Sequence, residues 1–234
     1  MTFHVKHLLL FILFLPFSIF AQKMATTTLE IKPNPIFPAK DLSIDSFLNE
    51  FEETKLLDPE QMEWFYWTNY SRKNPRRFWD SVVKPFLQIH PSLNTVNSVS
   101  LKNELYQTAN LSLLKPSALL MKTAKDHAVT SASKKIQSSH ISYNGSSFQD
   151  RMNKADIKYC AGENITFGPS NTPFALVLLY IDEGVSDLGH RKTLLDPAFV
   201  EMGIGVGHYP NNLVFIVQDF ACKQTDANVS RETN

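Results

Sequence analysis

Three short phrases carry the ionisable side chains from which a reactive or ligand-holding site can be built: Ser138–Ser139–His140, Gly162–Glu163–Asn164–Ile165 and Gly189–His190–Arg191. Two imidazoles and one carboxylate are a donor set for zinc or another divalent cation, with a coordination position left for water. The same groups serve equally well as proton donor and acceptor. Each phrase reads as an ionisable residue beside a turn. His140 and Glu163 are 23 positions apart, and Glu163 and His190 are 27 apart. No fixed-interval motif such as two histidines one helical turn apart links them, so spacing alone does not join the three. Plainer readings hold for their neighbours. His127, in a helical stretch with Ala124 and Val129, reads as a solvated or core-edge residue. Arg191 reads as a partner for Asp187 or Asp196, or as a helix-end cap. Asn144–Gly145–Ser146–Ser147 reads as a turn.

The chain of 234 residues opens with His4, Lys6 and His7 ahead of the apolar run Leu8–Phe20, which ends at Ala21 and then turns polar. A run of about a dozen apolar residues is too short to span a bilayer, which takes roughly 20, and this arrangement is that of a signal peptide over residues 1–21. Ile19 is larger than the Ala usual three positions before the cut, and no Cys follows to make a lipoprotein. An exported chain, secreted or periplasmic, with no transmembrane segment after removal of the leader is expected. Charge is balanced at 23 basic and 23 acidic residues, and no basic cluster could neutralise a run of phosphates, so nucleic acid is not an expected partner. Cys160 and Cys222 are the two cysteines. In an oxidising compartment they make one disulfide, closing a loop for which the chain-entropy model gives roughly 4 kcal/mol, or else a pair of buried thiols.

The elements that must position these residues follow from pattern. Residues 22–58, with Thr26, Thr27 and Thr28 and then Pro33, Pro35 and Pro38, read as an extended N-terminal arm, with a short helix over Asp45–Phe51. Asp58 and Pro59 signal a helix start for Pro59–Arg72, and Pro75 interrupts before a second helix. Trp64, Phe65, Trp67, Phe78, Trp79, Val82, Val83 and Phe86 are too dense to be anything but core. Leu111–Ser133 reads as another helix with Ser117 as a cap. Met202–Gly207 and Leu213–Phe220 read as strands joined by a hairpin at His208–Asn212. Helices followed by a helix and strands make the class α+β, a sheet covered by helices. One domain over 59–222, with a polar tail over 223–234, suits the length. A monomer is presumed.

Taken in order, Ser139–His140, Gly162–Glu163–Asn164–Ile165–Thr166–Phe167–Gly168, Gly189–His190–Arg191 with Leu194, Leu195 and Pro197, Phe199 to Gly207, and Val217–Gln218–Asp219–Phe220 resemble the CAP superfamily in its bacterial form. This is the group of cysteine-rich secretory proteins, venom allergens and plant pathogenesis-related proteins. Weaker agreement at Asn69–Tyr70–Ser71–Arg72 and Leu119–His127 extends the resemblance to about Pro59–Cys222. It implies a three-layer α-β-α sandwich with a mostly antiparallel central sheet and an open cleft. There, in many members, two histidines and two glutamates can hold a divalent cation. His140, Glu163 and His190 match three of the four, and the resemblance makes them the expected metal set. The fourth has no secure match; Asp182 or Glu183 lies nearest, without the tryptophan usual beside it. In the same way, Phe148–Met152 is implied to be a short helix with Phe148 and Met152 in the core.

Three functions compete on this reading. The first is a secreted binding module whose cleft takes a small hydrophobic, peptide or glycan ligand, with zinc or another divalent cation assisting. The second is a hydrolase in which a metal-activated water is deprotonated by Glu163 as general base. Ser138 or Ser139 paired with His140 is the poorer enzymatic version, because adjacent residues of an extended segment face opposite ways. The third is a buried hydrogen-bonded network that specifies the fold and binds nothing.

Overall fold

A computed structural model describes residues 32, 35–136, 138–210 and 212–224. The expected leader, the first part of the arm and residues 225–234 of the tail lie outside the described residues. In chain order the elements are α1 (Leu42–Leu48), α2 (Pro59–Lys73), α3 (Pro75–Phe78), α4 (Lys84–Ile89), α5 (Val96–Gln107), β1 (Lys115–Pro116), α6 (Ala118–Ser133), α7 (Phe148–Lys154), β2 (Ala161–Pro169), α8 (Thr172–Ile181), α9 (Gly189–Leu195), β3 (Glu201–His208) and β4 (Leu213–Ala221). No helix among the described residues is long and apolar enough to cross a membrane.

The helix starts are chemically specified. Asp58 accepts from the Gln61 N–H while the Gln61 side chain accepts from the Asp58 N–H, and Pro59 fills the first helical position of α2. Thr95 and Ser98 make the same reciprocal pair at α5, as do Ser147 and Asp150 at α7. Asn171 caps α8. The helix expected over Leu111–Ser133 begins only at Ala118. Lys115 and Ser117 donate to the Val200 and Met202 carbonyls, and Pro116 sits between these bonds where no N–H is needed. α5 escaped the pattern because it buries only Ser98, Leu101 and Leu105. In the arm, a helix forms slightly earlier than expected and docks, with Ile44 and Leu48 fully buried. Every aromatic and valine expected in the core from Trp64 to Phe86 is buried.

The strands form one sheet in the order β1-β3-β4-β2. β2 pairs antiparallel with β4 and β3 antiparallel with β4, whereas β1 runs parallel to β3. The sheet is therefore mixed rather than mostly antiparallel, and β2 is one of its edges. α6 covers one face and α2, α8 and α9 the other, which makes the three-layer α-β-α sandwich. Alternation along β4 shows the division. Phe215 and Val217 pack with Ala124 and Ala128 of α6, whereas Val214, Ile216 and Phe220 join the main core on the opposite face. On β3, a Cβ at Gly203, Gly205 or Gly207 would stand 2.1 Å from α6 backbone atoms. Three glycines at period two thus let the helix lie directly on the strand.

Two buried guanidiniums tie the layers together. Arg72 of α2 donates to the carbonyls of Ser112, Leu194, Asp196 and Phe199. Arg191 of α9 donates to those of Tyr180, Ile181 and Asn97 and to Ser100 Oγ, and lies 3.4 Å from Glu104. Sequence proximity suggested Asp187 or Asp196 as its partner. Burial favours carbonyls instead, because five N–H groups need acceptors and carbonyls supply them without a second charge to desolvate. Cys160 and Cys222 form a disulfide with Cα atoms 5.5 Å apart, at the end where β2 and β4 begin and finish their pairing.

Candidate functional site

Glu163 and Asn164 are consecutive on the edge strand β2, so their side chains leave opposite faces of the sheet. Glu163 is in mid-strand, opposite Asp219 of β4, and not beside a turn as the glycine before it suggested. Its side chain is 1% exposed. Oε1 lies 2.7 Å from His140 Nδ1, and Oε2 is paired with Arg151 Nη2. Arg151, from α7, also donates to the His140 carbonyl at 3.0 Å and to Ser142 Oγ at 2.9 Å, so one guanidinium holds the loop that carries His140 against the strand.

A second acid stands behind the first. Asp219 is fully buried; Oδ2 accepts from the Thr123 hydroxyl at 2.6 Å, and Oδ1 has no donor. Burial, and next the charge of Glu163, push the Asp219 carboxyl well above its ordinary 3.8. The shift favours its neutral form beside the charged Glu163. Burial acts to raise Glu163 as well. The hydrogen bond from His140 and the charge of Arg151 outweigh it, so Glu163 lies below its ordinary value and carries the negative charge of the pair.

On the other face of β2, Asn164 Nδ2 donates to the His190 carbonyl at 3.3 Å. His190 opens α9, and its Nδ1 lies 2.7 Å from Asp182 Oδ1. Asp182 ends α8 in the left-handed conformation, with φ 56°. That bend aims its carboxylate at the start of the next helix, where Oδ2 accepts the N–H groups of His190 and Arg191 at 2.9 and 3.2 Å. Of the two acids left open by sequence, Asp182 is thus the one that joins the site. Glu183 turns away to accept from the Thr95 hydroxyl at 2.6 Å.

The expected trio is therefore placed as two dyads, His140–Glu163 on one face of β2 and His190–Asp182, tied by Asn164, on the other. Each ring spends Nδ1 on a buried carboxylate, which leaves Nε2 for solvent or a ligand. The side chains are 37% exposed for His140 and 24% for His190. Among the described residues no three His, Cys, Asp or Glu side chains are gathered to hold a metal ion. Both oxygens of Glu163 are engaged, so it fits as the group that orients His140 and not as a ligand or a free general base. The imidazoles do fit a cation through Nε2, since a carboxylate on Nδ1 fixes the tautomer and the ring orientation. Sequence reasoning missed Arg151 and Asp219. Asp219 carried a signal, a charged residue inside a strand whose neighbours are all apolar or amide. Arg151, on the exposed-looking face of a short helix, carried none.

The fold and the paired imidazoles at its edge define an α-β-α sandwich with a histidine-lined site. The chain belongs to the cysteine-rich secretory protein (CAP) family, whose model matches residues 68–220. Among solved structures it is similar to an extracellular SCP-domain protein of Bacillus anthracis, at 27% identity and TM-score 0.40, over 57% of this chain and 40% of that one. It is also similar to an outer surface protein of Borrelia burgdorferi, at 17% identity and TM-score 0.42, over 59% and 92%. Venom allergen-like protein 4 of Schistosoma mansoni matches at 16% identity and TM-score 0.42, over 73% and 92%. The chain thus spans less than half the length of the B. anthracis protein. No curated protein matches.

Proposed function

We propose that this chain is an exported binding module that captures a small hydrophobic, peptide or glycan ligand at the edge of β2, through Nε2 of His140 and His190. His140 and His190 would hold a divalent cation such as zinc through those nitrogens, and the chemistry supplied would be Lewis acidity toward the ligand. The observation that carries the reading is the matched pair of dyads: each partly exposed ring is oriented by a buried carboxylate, Glu163 or Asp182, through Nδ1. Locking a ring this way reduces the entropy lost when a ligand binds. The apolar run Leu8–Phe20 ahead of Ala21 supports export. Glu163 is ill suited to deprotonate a water, because accepting a proton would break its pairing with Arg151.

Calorimetric titration of zinc into metal-free protein tests the proposal. Heat is expected from the wild type and not from the His140→Ala, His190→Ala double variant. Equal heat from both proteins, or none from either, would contradict it.

A further inference from the structure

His127 of α6 is 2% exposed, and both of its ring nitrogens have partners. Nε2 lies 2.9 Å from the carbonyl oxygen of Ser139. A carbonyl only accepts, so Nε2 carries the hydrogen, and in the neutral ring Nδ1 is then an acceptor. Nδ1 faces Ser142 Oγ at 3.2 Å, and Ser142 must therefore direct its own hydrogen at it. Ser142 Oγ in turn accepts from Arg151 Nη1 at 2.9 Å. The chain Arg151→Ser142→His127→Ser139 consequently runs in one direction. Burial, followed by the charge of Arg151, pulls His127 below its ordinary value and so favours the neutral ring, in which Nδ1 accepts.

A hydroxyl within hydrogen-bond reach of an imidazole that a third group orients is the arrangement of an activated nucleophile. The third group here is a backbone carbonyl, which fixes the tautomer as an aspartate does elsewhere. Unlike its base, Ser142 is only partly buried. Its two neighbours, Ile141 and Tyr143, are 45% and 60% exposed and offer apolar surface for an acyl chain. The sequence had suggested Ser138 or Ser139 beside His140; the structure instead brings a serine of the following turn onto a helix histidine.

We propose that Ser142 is the nucleophile, and His127 the base, of a second activity in this chain: hydrolysis of esters with short apolar acyl groups. Ser142 Oγ attacks the ester carbonyl carbon as His127 Nδ1 takes its proton. The carbon–oxygen bond to the alcohol breaks, and the departing alkoxide takes that proton and leaves. Water then attacks the acyl-serine, its proton passing to Nδ1 and from there to Ser142 Oγ, and the carboxylic acid is released. The guanidinium of Arg151 lies against the oxygen that gains charge when the acyl-serine is released. The reaction uses neither Nε2 of His140 and His190 nor a cation, so it stands or falls apart from the binding reading.

The full chain, kept in a chelator, is treated with a fluorophosphonate probe and with p-nitrophenyl butyrate. One adduct is expected, mapped to Ser142 by peptide mass spectrometry, with turnover lost in Ser142→Ala. His127→Gln keeps a donor for the Ser139 carbonyl but has no base, and should slow labelling and turnover by about 10²-fold or more. No adduct on Ser142 of the wild type, an adduct on another serine, or unchanged labelling of folded His127→Gln would overturn the proposal. The wild-type mapping needs no variant to fold.

Discussion

The two dyads reach the same geometry by different electrostatics. Glu163 is neutralised by a side chain, the guanidinium of Arg151, and has a second acid near it in Asp219, whose carboxyl is pushed up by burial and by the charge of Glu163. Asp182 is satisfied by backbone, the N–H groups of His190 and Arg191. One dyad is therefore built from residues distant in sequence, across α7, β2 and β4. The other is built from a single bend between α8 and α9. The first depends on a charge that a mutation can delete, whereas the second depends on a backbone conformation that persists as long as the bend does. A carboxylate that orients an imidazole can thus be held by long-range charge or by local chain geometry. The two should fail differently.

Removing Arg151 should have the largest effect. Arg151→Met leaves Glu163 buried beside Asp219 with no cation, and loss of one partner of a buried pair costs about 3–5 kcal/mol. A fall of that size in urea-unfolding stability is expected, together with release of the loop bearing His140. A loss under about 1 kcal/mol would show that the charge is not what holds this dyad. Asp182→Asn comes next. Its amide can still accept the two N–H groups in the left-handed bend, but it cannot orient His190 through Nδ1 with the same strength. The expected loss is about 1–3 kcal/mol, with weaker zinc binding by calorimetry. A penalty matching that of Arg151→Met would erase the contrast between the dyads.

Asp219→Asn is the smallest in size, under about 1 kcal/mol near pH 5, because a neutral amide of the same shape still accepts from Thr123. Its signature is in the pH dependence. The Asp219 carboxyl is raised above its ordinary 3.8 on folding, so between the unfolded and folded values the native state binds the extra proton and wild-type stability falls as pH rises. Glu163, held low, acts in the opposite sense, contributing stability above its unfolded value that is lost as pH falls through its folded value. Unfolding midpoints across pH should show wild type losing ground to Asp219→Asn as pH rises above 3.8. Parallel curves would mean that Asp219 is not a buried neutral acid.

How much of this was legible in sequence follows the same division between local and distant. Helix caps at Asp58 and the aromatic core from Trp64 to Phe86 are local signals and were readable. So was the pair β3–β4, from its alternation and the intervening Pro210–Asn212 turn. The sandwich, and the choice of His140, Glu163 and His190 as candidates, came from the ordered motif, not from spacing. Asp182 could not be separated from Glu183, because the choice rests on a left-handed φ at the end of α8 that Asp tolerates and Glu rarely adopts. β1 and α5 were missed, the one only two residues long and the other nearly unpatterned. Arg151, Asp219 and the pairing of His127 with Ser142 depend on which layers come together. No local pattern reports that.

The central claim is that both rings are fixed through Nδ1 and present Nε2. It is tested most directly by long-range proton–nitrogen NMR of the histidine side chains, at a pH where the rings are neutral, before and after zinc. The account predicts that His140 and His190 both carry hydrogen on Nδ1, and that zinc perturbs only their Nε2 resonances. Hydrogen on Nε2 in either ring, or zinc that leaves both rings untouched, would contradict it.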